Sequence, residues 1–300
     1  KAADGHGGWA DAEESLRVPA SINRCVHLVA AHELRRSFPL DSISVGFTLP
    51  DRSAEIVFPG VHSDIGGGYV PKEHGKGIDE DGADMLSRLP LIYMYREPRL
   101  AGVPLRLEDA DDVVKARFAT TQKTIDDFNA YIATCTSTSG RITDIIREQA
   151  IKQMAWRYTR RPRGPAPLHA TENFKRASNF DKNDLESANR DFDEELKIFE
   201  KSVRDRGERL PQRQDAGFDN VYDNELEEVA TYWPFQQPRS AEMNFFDEYV
   251  HDSRAGFKLS GADNEVDAIE ELQKWSRRLN FAKQQYETSY EGGATAGPPN

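Results

Sequence analysis

The hydrophobic pattern of the chain changes character near residue 105. Before it, short apolar runs alternate between two periods. Ile22, Cys25, Val26, Val29, Ala30 and Leu34 recur at steps of three and four, which predicts a helix over 22–37, with Ser21 as its N-cap and Phe38-Pro39 as its stop. Ser42–Leu49 alternates at Ile43, Val45, Phe47 and Leu49, as a half-buried strand does, and Ala54–Phe58 follows a Pro50-Asp51-Arg52 turn as a second strand. Helical spacing returns over 83–97 at Met85, Leu86, Leu89, Ile92 and Tyr93. Pro90 is expected to kink or restart that helix and Pro98 to end it.

Beyond 106 the pattern is that of helices with long polar faces, over 116–132, 141–157 and 183–204. In 183–204, Leu185, Ala188, Phe192, Leu196, Phe199 and Val203 form one stripe. In 141–157 the apolar residues divide between two sides, Ile142, Ile145, Ile146 and Trp156 against Ile151, Met154 and Tyr158. A helix packed between two neighbours accounts for that better than one lying on a membrane surface, although its Arg, Lys and aromatic residues suit either. Segments 226–235 and 240–250 are crowded with large rings, the mark of a docking surface or pocket wall. A charged helix over 263–285 and a disordered Gly/Pro tail over 291–300 complete the reading. The fold class is therefore α/β: the closing edge of a doubly wound sheet over 1–105, a mainly helical module over 106–290, and the tail.

The strand Ala54–Phe58 runs into Pro59-Gly60, then His62, Ser63, Asp64, and the glycines Gly66, Gly67 and Gly68 before Tyr69. Proline and glycine end the strand, and the glycine triplet permits positive φ and close backbone approach. His62 thus stands at a strand end, where an α/β enzyme places catalytic groups. A tight loop holding a structural histidine fits the same spacing. Asp64 is expected to cap the turn after His62, with Ser63 as support. Near the C-terminus, His251 and Asp252 form a secondary candidate pair, expected to pin that segment onto the region 1–105 through a hydrogen-bonded network. A divalent ion held by His62 and Asp64 with His251 and Asp252 is the metal-dependent alternative. His27, His32 and Glu33 lack HExxH spacing and read as structural. The loop 71–82, with Lys72, Glu73, His74, Lys76, Asp79, Glu80 and Asp81, reads as mobile and solvated; it lacks EF-hand spacing.

Charge narrows the partners. A formal net charge of −12 argues against nucleic acid, which wants a basic footprint, and leaves a lipid substrate open. Cys25 and Cys135 have no metal-ligand spacing and read as idle thiols. No run of about eighteen apolar residues marks a membrane span.

Three stretches resemble one family. Phe58–Tyr69 is similar to the histidine motif of a bacterial α/β-hydrolase family that includes phospholipase effectors delivered by type VI secretion, the family-one type lipase effectors. The stretches 25–40 and 249–257 resemble the helix before that motif and a segment near the C-terminus of the effector branch. The resemblance implies hydrolysis of a glycerophospholipid ester through a Ser-His-Asp triad, without a cofactor, with His62 as the triad base. It also implies delivery to the periplasm of target bacteria, a phospholipid substrate, and a secretion spike and an immunity protein as partners; the change of composition at 106 and the ring-rich segments point to a lid, membrane-facing or partner-binding module over 106–290, with peripheral membrane contact. The family carries its serine in a G-x-S-x-G elbow, which occurs nowhere here. The nucleophile and the triad carboxylate are both expected upstream, so this chain is expected to supply the histidine and to be inactive alone. A non-catalytic portion recognising a spike or immunity protein is the alternative.

Overall fold

The computed structural model describes residues 18–35, 40–45, 48–206 and 235–257. The expectations for 226–234, 263–285 and 291–300 fall outside these residues. Two parallel strands, β1 (Val26–Ala30) and β2 (Ala54–Phe58), pair in register from Val26 opposite Ala54 to Ala30 opposite Phe58. Around them stand α1 (His62–Gly66), α2 (Arg88–Leu100), α3 (Asp112–Arg117), α4 (Gln122–Ile132), α5 (Ile142–Arg160), α6 (Glu172–Arg176), α7 (Asn179–Arg206) and α8 (Ser240–Glu248). The architecture is mixed α/β with a small parallel sheet and many helices.

β1 replaces the helix expected over 22–37. Strands of parallel sheets carry near-continuous apolar runs, and Val26-His27-Leu28-Val29-Ala30, apolar except for His27, fits helical spacing as well. Pairing with β2 decides the outcome. Ala54 N donates to Cys25 O at 2.9 Å, Ala31 N to Phe58 O at 2.9 Å and His32 N to Gly60 O at 3.0 Å. The strand expected over 42–49 is reduced, among its described residues, to one antiparallel bridge between Val45 and Thr48. Here the Glu55 side chain holds the chain instead, accepting from Ser42 Oγ at 2.7 Å and Ile43 N at 3.0 Å.

α2 begins at Arg88, so Pro90 falls in its first turn, where a missing N–H leaves no intrahelical bond unmade. It runs two residues past Pro98, which sits in the last turn instead of beyond it. α5 is buried on both sides, from Ile142 to Thr159, and joins two apolar clusters. One cluster gathers Val29, Leu34, Ile146, Met154, Phe192 and Leu196; the other gathers Val61, Leu86, Tyr131, Trp156, Phe245 and Phe246. Both draw residues from either side of 105, so the helices pack directly onto the strands.

The loop 71–82 is not solvated throughout. His74 and Lys76 are 5% and 3% exposed. Lys76 Nζ donates to Phe246 O at 2.8 Å and Asp247 O at 2.6 Å, capping the C-terminus of α8, and burial lowers its pKa to about 8. The His74 ring packs against those of Tyr69 and His251. Burial first, and then the neighbouring His251, lowers the His74 pKa to about 4 from 6.5. A histidine held neutral in the fold but free to protonate when unfolded stabilises fully above about pH 6.5, and that stability fades as pH falls toward 4. Stability to urea is therefore expected to drop by about 3 kcal/mol from pH 7 to pH 4 through this group, and His74→Phe to flatten that part of the profile.

A buried ion pair ties α5 to the C-terminal described segment. Arg157 Nη2 lies 2.6 Å from Asp252 Oδ1, with the side chains 3% and 7% exposed. Burial alone would raise the Asp252 pKa; the Arg157 guanidinium outweighs it and holds the carboxyl below its ordinary value. Arg157→Met strands a buried carboxylate and is expected to cost about 3–5 kcal/mol in denaturant unfolding.

Candidate active site

The motif after β2 folds as a strand, a turn and one helical turn. Gly60 adopts φ +132°, and a Cβ there would meet Asp64 Cβ at 2.8 Å, so glycine is required at this corner. Its N–H donates to Nδ1 of the fully buried His32 at 2.9 Å. His32 is therefore a structural residue that fixes the turn. Asp64, 2% exposed, accepts from Val61 N at 3.0 Å and caps the first turn of α1. The glycine triplet is used unevenly. Gly67 takes φ +77° to end α1, and Gly68 is needed because a Cβ would meet Ser63 Oγ at 2.9 Å. Gly66 has open space around it and an ordinary φ.

His62 stands at the head of α1 with its side chain 40% exposed. Its Nδ1 lies 2.6 Å from Oε2 of Glu33, which follows β1 as His62 follows β2. The parallel register thus brings the two strand ends, and an acid and an imidazole, to one place. Glu33 is 1% exposed. Burial alone would raise its pKa; hydrogen bonds from His62 and Arg35 outweigh that and hold the carboxyl well below the usual range. Arg35 donates to Oε1 through its backbone N at 2.9 Å and Nε at 3.0 Å, and to Oε2 through Nη2 at 2.9 Å.

Arg35 Nη2 also lies 2.6 Å from Nδ1. The Glu33 carboxylate can only accept, so the tautomer with the proton on Nδ1 satisfies that contact. Arg35 has the same carboxylate to satisfy it. The other ring nitrogen, Nε2, then carries the lone pair and faces Ser63 Oγ at 3.1 Å. The arrangement can take a proton from a hydroxyl at Nε2 and stabilise the resulting imidazolium through Glu33.

His251 does not join His62. Its Nδ1 lies 2.6 Å from Asp64 Oδ1, its N donates to Asp64 Oδ2 at 3.2 Å, and its ring stacks on Tyr69 at 3.8 Å between centroids. Asp252 turns the other way, to Arg157. The metal-dependent alternative is thereby corrected: His62 and Asp64 serve different partners, and among the described residues no three His, Cys, Asp or Glu side chains converge on an ion site. The residue that the sequence pattern missed is Glu33, whose only signal was its place after the strand preceding the histidine strand.

Residues 9–97, which contain this whole strand-end pair, match the type VI secretion phospholipase effector, Tle1-like, catalytic domain. Over this segment the chain is similar to the catalytic domain of Tle1-like phospholipase effectors. No curated protein matches it. Among solved structures, an uncharacterized protein from Pseudomonas aeruginosa superposes with a TM-score of 0.47 at 22% identity, covering 92% of this chain and 33% of that one. The chain thus spans about a third of that protein's length.

Proposed function

We propose that the chain forms part of a serine-type phospholipase that cleaves the carboxylic ester of a glycerophospholipid, A1 or A2, as an antibacterial effector of type VI secretion. The observation that supports this most is the contact of Glu33 with Nδ1 of a half-exposed His62 inside a Tle1-like catalytic segment. In this reading His62 Nε2 accepts the serine proton as the hydroxyl attacks the ester carbonyl, and then returns it to the leaving glycerol oxygen. Glu33 keeps the ring in the required tautomer and stabilises its positive charge. The nucleophile comes from an upstream segment that continues the sheet in the manner of an α/β-hydrolase. The helices beyond 106 serve as lid or membrane-facing module. Supporting the last point, Leu100, Val103 and Leu105 just before this module and Val113 and Val114 within it expose apolar side chains. α5 has no part in this, since Met154 and Trp156 are buried. Among the described residues no helix is long and apolar enough to cross a membrane. Delivery to the periplasm of target cells, a spike protein and an immunity protein complete the proposal.

The contact between Ser63 Oγ and Nε2 favours a second reading, in which Ser63 itself is the nucleophile. The test of the first is the product spectrum from phospholipid vesicles given to the natural full-length protein. Equimolar fatty acid and lysophospholipid support it; release of a phosphorylated head group, or no product, counts against it.

A further inference from the structure

The family match ends at residue 97, yet the pair it contains is held from far downstream. Ser253, 4% exposed, donates from Oγ to Glu33 Oε1 at 2.9 Å across 220 residues of sequence. The two residues before it are anchored: His251 on Asp64, which caps the turn bearing His62, and Asp252 on Arg157 of α5. Phe257, farther along, lies under the Arg35 guanidinium at 4.4 Å. The segment 251–257 therefore touches the acid, the cap of the histidine turn and the arginine together.

We propose that Ser253 is a positioning residue for the Glu33–His62 pair, holding the carboxylate so that Oε2 faces the imidazole. This rests on the reading of His62 as proton carrier. Arg35 cannot do the same work, because it lies two residues from Glu33 and moves with it. The Ser253 hydroxyl comes from a different part of the fold and fixes the carboxylate relative to α1. With Oε1 engaged by Ser253 and Arg35, Oε2 is left to His62 and Arg35. Without the hydroxyl, Oε1 keeps only its bonds from Arg35, and the carboxylate is held to α1 by its His62 contacts alone, so the partner that selects the ring's tautomer is less firmly placed.

The test reads the ring itself. Nitrogen-15 NMR of histidine-labelled full chain, with His62 assigned by its disappearance in His62→Ala, reports which nitrogen carries the proton. The parent is expected to show His62 as the Nδ1–H form. Ser253→Ala is expected to move both ring nitrogens toward averaged values, and Ser253→Thr, which keeps the hydroxyl, to restore them. In the natural full-length protein, Ser253→Ala is expected to lower kcat about tenfold with KM unchanged. Ring signals in Ser253→Ala identical to the parent's overturn the proposal, whatever the stability of the variant. Because the tautomer is read without turnover, a protein that hydrolyses no lipid but shows the Ser253 dependence contradicts the hydrolase reading and supports the positioning role.

Discussion

His62→Ala is expected to reduce fatty-acid release from phospholipid vesicles by about four to six orders of magnitude in the natural full-length protein, with vesicle binding unchanged. The size follows from what is removed. A serine hydroxyl is a poor nucleophile at neutral pH and needs a base within hydrogen-bond reach to take its proton. Nε2 is the ring nitrogen left with a lone pair when the proton sits on Nδ1 and is hydrogen-bonded to Glu33. The substitution should fold well, because the His62 side chain is 40% exposed and α1 keeps its cap through Asp64. Loss of activity with an unchanged unfolding midpoint separates a chemical role from a structural one. Rates from His62→Ala within tenfold of the parent would remove the imidazole from the mechanism.

Glu33→Gln is expected to lower kcat by about four orders of magnitude while changing KM little. The amide is isosteric, but it presents either an oxygen or an N–H to Nδ1. Where the N–H faces the ring, Nε2 takes the proton and stops acting as a base; where the oxygen does, the imidazolium lacks a counter-charge. A pH signature accompanies the kinetic one. The folded carboxyl is held well below its ordinary value of 4.5, so the unfolded chain binds its proton more readily. Its stabilisation is present above about pH 4.5 and fades as pH falls below that value. Glu33→Gln should therefore unfold more easily than the parent at pH 7 and lose less on acidification to pH 3. Equal acid sensitivity in the two proteins, read by urea unfolding, would show that the carboxyl is not held as described.

These effects depend on features that were unequally visible in the amino-acid pattern. β2 and the turn after it were legible, because an apolar run ended by Pro59-Gly60 has few other solutions. So were α5 and α7, whose lengths leave the helical period unambiguous, and the division of α5 between two apolar sides matches its burial between two clusters. β1 was not legible. Its apolar run satisfied a helical stripe as well as a parallel-sheet strand, and only the hydrogen bonds to β2 discriminate between them. That misreading hid Glu33, since a glutamate on a helix gave no reason to meet a histidine beyond the next strand. Set after β1, it meets His62 because parallel strands end on the same side. His74 and Lys76 looked like parts of a charged loop, and nothing local announces that Lys76 reaches the carbonyls at the end of α8, or that His74 packs on His251. Ser253 is legible only in the fold, since a lone serine far along the chain carries no periodicity or motif.

The central claim is that the Glu33–His62 pair activates a serine, and a fluorophosphonate probe reads that activation directly. The probe phosphonylates a serine made nucleophilic by an adjacent base, and mass spectrometry of the labelled peptide locates it. One labelled serine per full-length protein, with labelling lost in His62→Ala and strongly slowed in Glu33→Gln, is the result expected here. A label on Ser63 would place the nucleophile within the motif itself. Labelling that proceeds undiminished in His62→Ala would contradict the account.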